Sequence, residues 1–291
     1  MPALLPDRFV QPEHTLLIGT SRSRPVAERL QKLLPHATIE ETDPYDLPKI
    51  LVRLAELAPA GAPMLINLTG GTKMMMLGAF ALAMQRGWEF VYLESEHRPA
   101  VLYRYSFASG RLRRKEGTPL PPLITAADYL NAHLPGFRTE GFSRDAHDRL
   151  TDGGVFEQAV YNALQPQVDE VLAGVRPEGV ANQIEMDLVI RVGNQVGVAE
   201  VKLGGGEERP KQGIDQLSTA TSREYLGAYT ARFLITANRL AASIMQLAKE
   251  KQVTVVTLRE YRLGAALTRD DQQRLVVAIR EKLAPSDKGA R

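Results

Sequence analysis

Apolar positions along the first part of the chain change period repeatedly. Residues 14–18 form a short apolar run that suits a strand. Residues 25–34 repeat apolar positions at helical spacing, with Pro25 fitted to a first turn, and residues 37–41 return to an extended stretch. Residues 48–58 put Ile50, Leu51, Leu54 and Leu57 on one side of a helix. Residues 64–68 predict a strand that runs into Thr69, Gly70 and Gly71. The helix predicted over 72–86 is apolar nearly all round and should be buried. Strands follow at 89–93 and 100–105, the second pairing with 111–115. Strands alternating with helices predict a mainly parallel, doubly wound α/β sheet with an antiparallel edge.

The pattern breaks at residues 117–122, where Pro119, Pro121 and Pro122 mark a linker. A short helix is expected at 124–133, a polar, Gly-rich stretch at 135–154 and a helix at 155–164. Strand periods then run from Val168 to Leu203. Helices at 211–224, 240–249 and 269–283 alternate with strands at 232–236 and 253–258. The expected organisation is a first domain over 1–118, a linker region with a short helix over 119–149, and a second α/β domain over 150–291.

Composition narrows the classes. A chain of 291 residues suggests two domains, and 44% hydrophobic with 24% charged residues excludes global disorder. With no Cys, disulfides, thiolate metal sites and a thiol nucleophile are excluded. The first eleven residues hold Pro2, Pro6, Asp7 and Arg8 and no apolar targeting core. The longest apolar run, 74–84, is shorter than the roughly 20 residues a membrane span needs. A cytoplasmic protein with no membrane partner is expected. Net charge is +2; 15 basic and 12 acidic residues precede Thr118, leaving 21 and 22 after it. A nucleic acid would have to meet local patches in the second half rather than an overall basic surface.

The most informative segment runs from Gln183 to Leu203. Gly193-Asn194 lies between two alternating runs and suits a two-residue hairpin loop with Gly at its first central position. In that register Asp187 faces Glu200 and Glu185 faces Lys202, so the four charges share one face. Ile184, Met186, Leu188, Ile190, Ala199, Val201 and Leu203 share the other, a core face. Directly opposed carboxylates repel, and no structural need calls for them. A divalent cation such as Mg²⁺ or Mn²⁺ between them removes the repulsion. Lys202 on the same surface could orient or deprotonate water, or stabilise charge on a phosphoryl group.

Asp187 followed by Glu200-Val201-Lys202 resembles the core of the PD-(D/E)xK nucleases, an Asp on one strand and E-x-K on the next. The resemblance implies a restriction-endonuclease-like fold and makes Asp187, Glu200, Lys202 and Glu157 the catalytic residues. Glu157, on the preceding helix, joins Asp187 and Glu200 as metal ligands. The helix after E-x-K would carry Gln212 or Gln216 toward the scissile phosphate. No Pro precedes Asp187; Met186 stands there, and in the family that Pro is often absent.

In the first half, the string Asn67-Leu68-Thr69-Gly70-Gly71-Thr72-Lys73-Met74 joins a strand to a helix. Paired glycines allow close backbone approach, helix N–H groups suit an anion, and a Lys in the first turn runs against the helix dipole. Thr69 and Thr72 add hydroxyls, and Thr20 and Ser21 form a second such loop after the first strand. The string resembles the signature of the CARF domain, the CRISPR-associated Rossmann fold, over about residues 14–115. The resemblance implies that Thr20, Ser21, Thr69, Gly70, Gly71, Thr72 and Lys73 bind a cyclic oligoadenylate in a dimer cleft.

A CARF domain joined to a PD-(D/E)xK domain is similar to the CARF-nuclease effectors of type III CRISPR immunity. That resemblance implies a homodimer activated by cyclic oligoadenylate, with cyclic tetraadenylate preferred, that cuts DNA and/or RNA with Mn²⁺ or Mg²⁺. A two-fold dimer cleft matches an even-numbered ring. A non-enzymatic CARF regulator that binds nucleic acid is the alternative, and the acidic hairpin argues against it. A HEPN-type ribonuclease needs an Arg–His pair on a C-terminal helix, and neither His133 nor His147 has an Arg so placed. Met74, Met75 and Met76 are expected in the core. The run Arg111, Arg113, Arg114 and Lys115 reads as a solvated strand edge, and residues 204–208 as a loop beside the site.

Overall fold

The computed structural model describes residues 1–58, 61, 63–95, 99–108, 110–179, 184–203, 208–222, 225–227 and 230–284. The chain divides into two compact units, Met1–Leu123 and a second beginning at Ile124.

In the first unit, helix α1 (Leu4–Val10) precedes strand β1 (Thr15–Gly19), a 3₁₀ turn at Ser21–Ser23, and α2 (Arg24–Leu33). Strand β2 (Ala37–Glu41) and helix α3 (Leu47–Leu57) follow, then β3 (Leu65–Asn67) and α4 (Lys73–Arg86). Strands β4 (Glu89–Glu94), β5 (Val101–Ala108), β6 (Arg111–Arg114) and β7 (Thr118–Pro119) complete it. β1 pairs with β2 and β3 with β4 in parallel, while β5 pairs antiparallel with β4, β6 and β7. The antiparallel edge is therefore broader than one hairpin. Helix α1 is not legible in the pattern. Its Leu4 and Leu5 are buried, and the buried Asp7 accepts a hydrogen bond from the Thr15 hydroxyl.

Helix α4 departs from expectation. Gly78 packs so close to α3 that a Cβ there would lie 2.8 Å from Ile50, and Leu82 and Ala83 are buried. Met74, Leu77 and Met84 are exposed instead, Leu77 by 52%. Of the three consecutive methionines, Met75 packs against the Ile50–Leu54–Leu82 cluster and Met74 is exposed. Part of an all-round apolar helix is thus exposed among the described residues.

In the second unit, α5 (Ala126–His133) and β8 (Phe137–Thr139) precede α6 (Asp152–Leu164) and β9 (Glu170–Pro177). The hairpin β10 (Met186–Val192) and β11 (Gln195–Lys202) leads to α7 (Glu208–Ala220), β12 (Ala231–Thr236), α8 (Ala242–Glu250), β13 (Val253–Thr257) and α9 (Arg269–Leu283). The six strands run in the order β13-β12-β11-β10-β9-β8; β11, β12 and β13 are parallel and the rest antiparallel. The expected linker region 119–149 is largely part of this unit. Tyr129 and Leu130 of α5 are buried, the Tyr129 hydroxyl donates to the Leu226 carbonyl, and β8 extends the sheet. The connection shrinks to the residues around Leu123.

The core lies between the sheet and helices α6 and α9, built from Phe156, Val160, Leu188, Ile190, Phe233 and Leu275 among others. Helix α7 covers the opposite face: its Ile214 and Leu217 are buried, and Gly213 lies against Leu234 and Lys202. With both faces covered, a charge on the central strands is withdrawn from water. Among the described residues no helix is long and apolar enough to cross a membrane.

Candidate active site

Strands β10 and β11 meet in the expected register, Leu188 opposite Ala199 through Val192 opposite Gln195. Gly193 has φ +61°, as a first central position with Gly requires. Continued by one step, the register sets Asp187 against Glu200. Both are buried, Glu200 to 1% exposure.

Lys202 Nζ lies 2.7 Å from Glu200 Oε2 and 3.2 Å from Asp187 Oδ2. The Val201 N–H donates to Asp187 Oδ2 at 2.7 Å, which fixes the carboxylate across the hairpin. Burial, and next the Asp187 charge, push the Glu200 carboxyl well above the usual carboxylate range. Burial by itself would lower the Lys202 ammonium, but the Glu200 and Asp187 charges outweigh it and hold Lys202 above the ordinary lysine value. Glu185, expected opposite Lys202, makes its ion pair elsewhere. Glu185 bonds Arg176 of the neighbouring β9, Nη2 to Oε2 2.6 Å.

Glu157 projects from α6 and is buried. It accepts hydrogen bonds from the Ser143 N–H at 2.9 Å and the Ser143 hydroxyl at 2.8 Å. Burial and then the Asp187 charge raise its carboxyl above the ordinary value, against the pull of those two bonds. Two glycines let the Ser143 segment approach. A Cβ at Gly154 would sit 2.1 Å from the Ser143 carbonyl oxygen, and Gly174, at φ +60°, faces Gly141 as closely. Nothing in the sequence pattern marks Ser143 except the nearby Gly153-Gly154 pair.

All three carboxylates are oxygen donors of the kind hard divalent cations take. Among the described residues, however, no three His, Cys, Asp or Glu side chains form a ready-made metal cluster. Glu157 is turned to Ser143, and the single Lys202 ammonium is shared between the other two. The chemistry of the donor set fits a divalent cation, and the raised Glu200 and Glu157 carboxyls mark negative charge that Lys202 alone does not offset.

Beside the hairpin, α7 and the start of β10 enclose a cleft of about 510 Å³ lined by Ile184, Glu185, Lys211, Gln212, Asp215 and Gln216, with Glu208 and Thr219. Gln212 and Gln216 thus share one cleft, and Gln216 Oε1 is buried without a hydrogen-bond partner. The lysine stem passes beneath α7, where a Cβ at Gly213 would lie 3.5 Å from Lys202 Cε. Residues 204–207 of the expected loop lie outside the described residues.

In the first unit the two expected ligand loops follow β1 and β3. Thr20 caps the turn Ser21–Ser23, and its N–H donates to Ser23 Oγ at 2.9 Å; Ser21 is exposed. The Thr69 hydroxyl donates to Asn67 Oδ1 at 2.7 Å and accepts from the Leu93 N–H at 2.8 Å. The Thr72 hydroxyl caps α4 through the Met75 N–H and donates to the Pro44 carbonyl at 2.6 Å. Both hydroxyls are therefore used inside the protein and shape the loop rather than face outward unbonded. Gly70 and Gly71 are exposed, Gly71 with φ +96°, and Lys73 opens α4 exposed, with no ion-pair partner among the described residues.

No family model matches the chain, and no curated protein does. Among solved structures it is similar along nearly its whole length to Can2 from Sulfobacillus thermosulfidooxidans in complex with cyclic tetra-adenylate. That match has a TM-score of 0.73 at 15% identity and covers 96% of this chain and 95% of the other. It is likewise similar to protein VC1899 from Vibrio cholerae, with a TM-score of 0.71 at 13% identity, covering 97% and 95%. At such identities the likeness establishes the fold. The chain is an α/β protein of two compact units that shares the fold of these two structures.

Proposed function

We propose that this protein is a metal-dependent nuclease switched on by a cyclic oligoadenylate, cyclic tetraadenylate above others, and that it cuts DNA and/or RNA in type III CRISPR defence. The observation that carries the reading is the buried Asp187–Glu200–Lys202 group. Opposed carboxylates withdrawn from water cost folding energy, and their use is to meet a cation and a phosphodiester. The fold shared with a Can2 that binds cyclic tetra-adenylate supports the activator.

Asp187 and Glu200 would hold a divalent cation, Mn²⁺ or Mg²⁺, with Glu157 as a third oxygen ligand. Such a cation supplies Lewis-acid polarisation of a phosphoryl oxygen and a more acidic water. Lys202, kept cationic by its two carboxylates, would stabilise charge gathering on the phosphoryl oxygens rather than take a proton from water. Gln212 and Gln216 supply neutral donors along the cleft for the nucleic-acid backbone.

In the first unit the exposed Gly70–Gly71 backbone, Ser21 and Lys73 meet the ring phosphates, while Thr20, Thr69 and Thr72 hold the loops in shape. A second copy covers the exposed apolar face of α4, since that helix begins at Lys73 and a two-fold ring is gripped best by two copies of one loop. The test is cleavage of plasmid DNA and of single-stranded RNA in Mn²⁺, with and without cyclic tetraadenylate. Asp187→Asn and Glu200→Gln should each cut at least about 100-fold more slowly while binding the ring as wild type does. Wild-type cutting in EDTA by either variant would remove the assignment.

A further inference from the structure

Tyr45 is the most exposed large hydrophobic side chain among the described residues, at 75%. Isolated exposed aromatics are common on protein surfaces, so its location decides its meaning. Tyr45 sits in the loop that follows β2, at the carboxyl end of that strand, where ligands meet open α/β sheets.

Hydrogen bonds tie this loop to both loops already assigned to the ring. The Thr42 N–H donates to the Gly19 carbonyl at 3.0 Å, next to Thr20. The Thr72 hydroxyl donates to the Pro44 carbonyl at 2.6 Å, next to Tyr45. The loop backbone is also fixed from within. Asp43 Oδ1 accepts from the Tyr45 N–H and the Asp46 N–H, both at 2.8 Å, and Asp46 caps α3 through the Lys49 N–H. The segment is therefore held, while its one large ring has no hydrogen bond, ring contact or cation partner among the described residues. A presented aromatic face on a pre-ordered loop binds a flat partner with little ordering cost.

The chemistry around the ring limits that partner. Asp43 and Asp46 flank Tyr45; Lys49 pairs with Asp46 at 3.0 Å, whereas Asp43 has only backbone N–H partners and leaves a carboxylate charge that disfavours a phosphate beside the ring. Phosphate-suited features, Lys73 and the Gly70–Gly71 backbone, lie on the adjoining loop. A cyclic oligonucleotide presents both chemistries, phosphates at the ring and flat bases carried outward. We infer that the Tyr45 ring is a base-stacking contact for an adenine of the bound ring. This rests on the reading of the first unit as a cyclic-oligoadenylate sensor, and it adds a recognition element that the phosphate loops lack: stacking discriminates a nucleobase from its absence.

The test is calorimetric titration of the full-length protein with cyclic tetraadenylate, using wild type, Tyr45→Phe, Tyr45→Trp and Tyr45→Ala. Loss of one base–aromatic stack should raise Kd roughly 5- to 150-fold in the alanine variant. The Phe and Trp variants should stay within about threefold of wild type, because either ring keeps a π face. Melting temperature should be unchanged, and sedimentation should give one mass for all four proteins. Equal affinity of Tyr45→Ala and wild type overturns the inference while the sensor reading stands. Loss in Tyr45→Phe as large as in Tyr45→Ala also overturns it, since the hydroxyl and not the ring would then be the contact. A change of oligomeric mass in Tyr45→Ala overturns it too, by placing the ring against a second copy. No binding by the wild type to any cyclic oligoadenylate instead removes the underlying sensor reading.

Discussion

Ser143 donates two hydrogen bonds to Glu157, 2.9 Å from its N–H and 2.8 Å from its hydroxyl. The Ser143 carbonyl in turn accepts from the Thr151 N–H at 3.0 Å, at the cap of α6. One residue thereby fixes both the start of the helix and the carboxylate it presents. Partners of this sort orient a metal ligand, and their loss costs metal affinity.

Ser143→Ala keeps the N–H bond and removes the hydroxyl one. Mn²⁺ affinity should fall about 10-fold or more, read by electron paramagnetic resonance of free Mn²⁺ and, separately, by the Mn²⁺ concentration giving half-maximal cutting. Ring binding should be untouched. Identical Mn²⁺ titrations for the two proteins would assign Ser143 to folding alone.

Glu200 and Glu157 have carboxyls raised above the ordinary value of 4.5. A raised native value means that the folded state binds protons more tightly than the unfolded one. Their contribution to stability is complete below 4.5 and is lost as pH rises through the higher folded values. Metal-free protein should therefore melt at progressively lower temperature as pH climbs through that window, on top of the chain's general response. Glu200→Gln should flatten the slope, and Mn²⁺ should offset it in the wild type only. Parallel melting curves for wild type and Glu200→Gln across pH would refute the linkage.

Lys73 stands exposed in the first turn of α4, where a cation opposes the helix dipole. Lys73→Ala should weaken cyclic tetraadenylate binding at least about 10-fold, with a folding change within about 0.5 kcal/mol. Calorimetry beside a denaturant melt separates the two, and a Kd equal to wild type would take Lys73 out of the site.

Leu77 is half exposed on the same helix, between Met74 and Met84. A Glu there would bury a charge in any contact with a second copy, so Leu77→Glu should convert a dimer to a monomer. It should also reduce ring affinity with Lys73 intact. Sedimentation velocity reads the mass, and an unchanged mass would mean that this face is not where two copies meet.

The hairpin register was legible in the sequence because it depends on local facts alone, a period of two on each side of Gly193-Asn194. With it came Asp187 against Glu200, and the spacing of E-x-K brought Lys202 to the same face. The alternation of strands and helices likewise marked the two α/β units. The tertiary structure decided what those charges touch. Glu185, at the register position opposite Lys202, pairs with Arg176 because β9 supplies a strand neighbour that no reading of the hairpin contains. Ser143 reached Glu157 because two glycines, at 154 and 174, allow backbones to meet that lie far apart in the chain. Residues 124–139 joined the second unit through buried side chains of α5 and the pairing of β8 with β9, and α4 packs on α3 through Gly78 and on the sheet through Phe80, leaving Met74, Leu77 and Met84 exposed. Period and turn chemistry act within a few residues and are written in order along the chain. Burial and hydrogen-bond partnership depend on which distant segments arrive, and that is fixed only when the chain closes on itself.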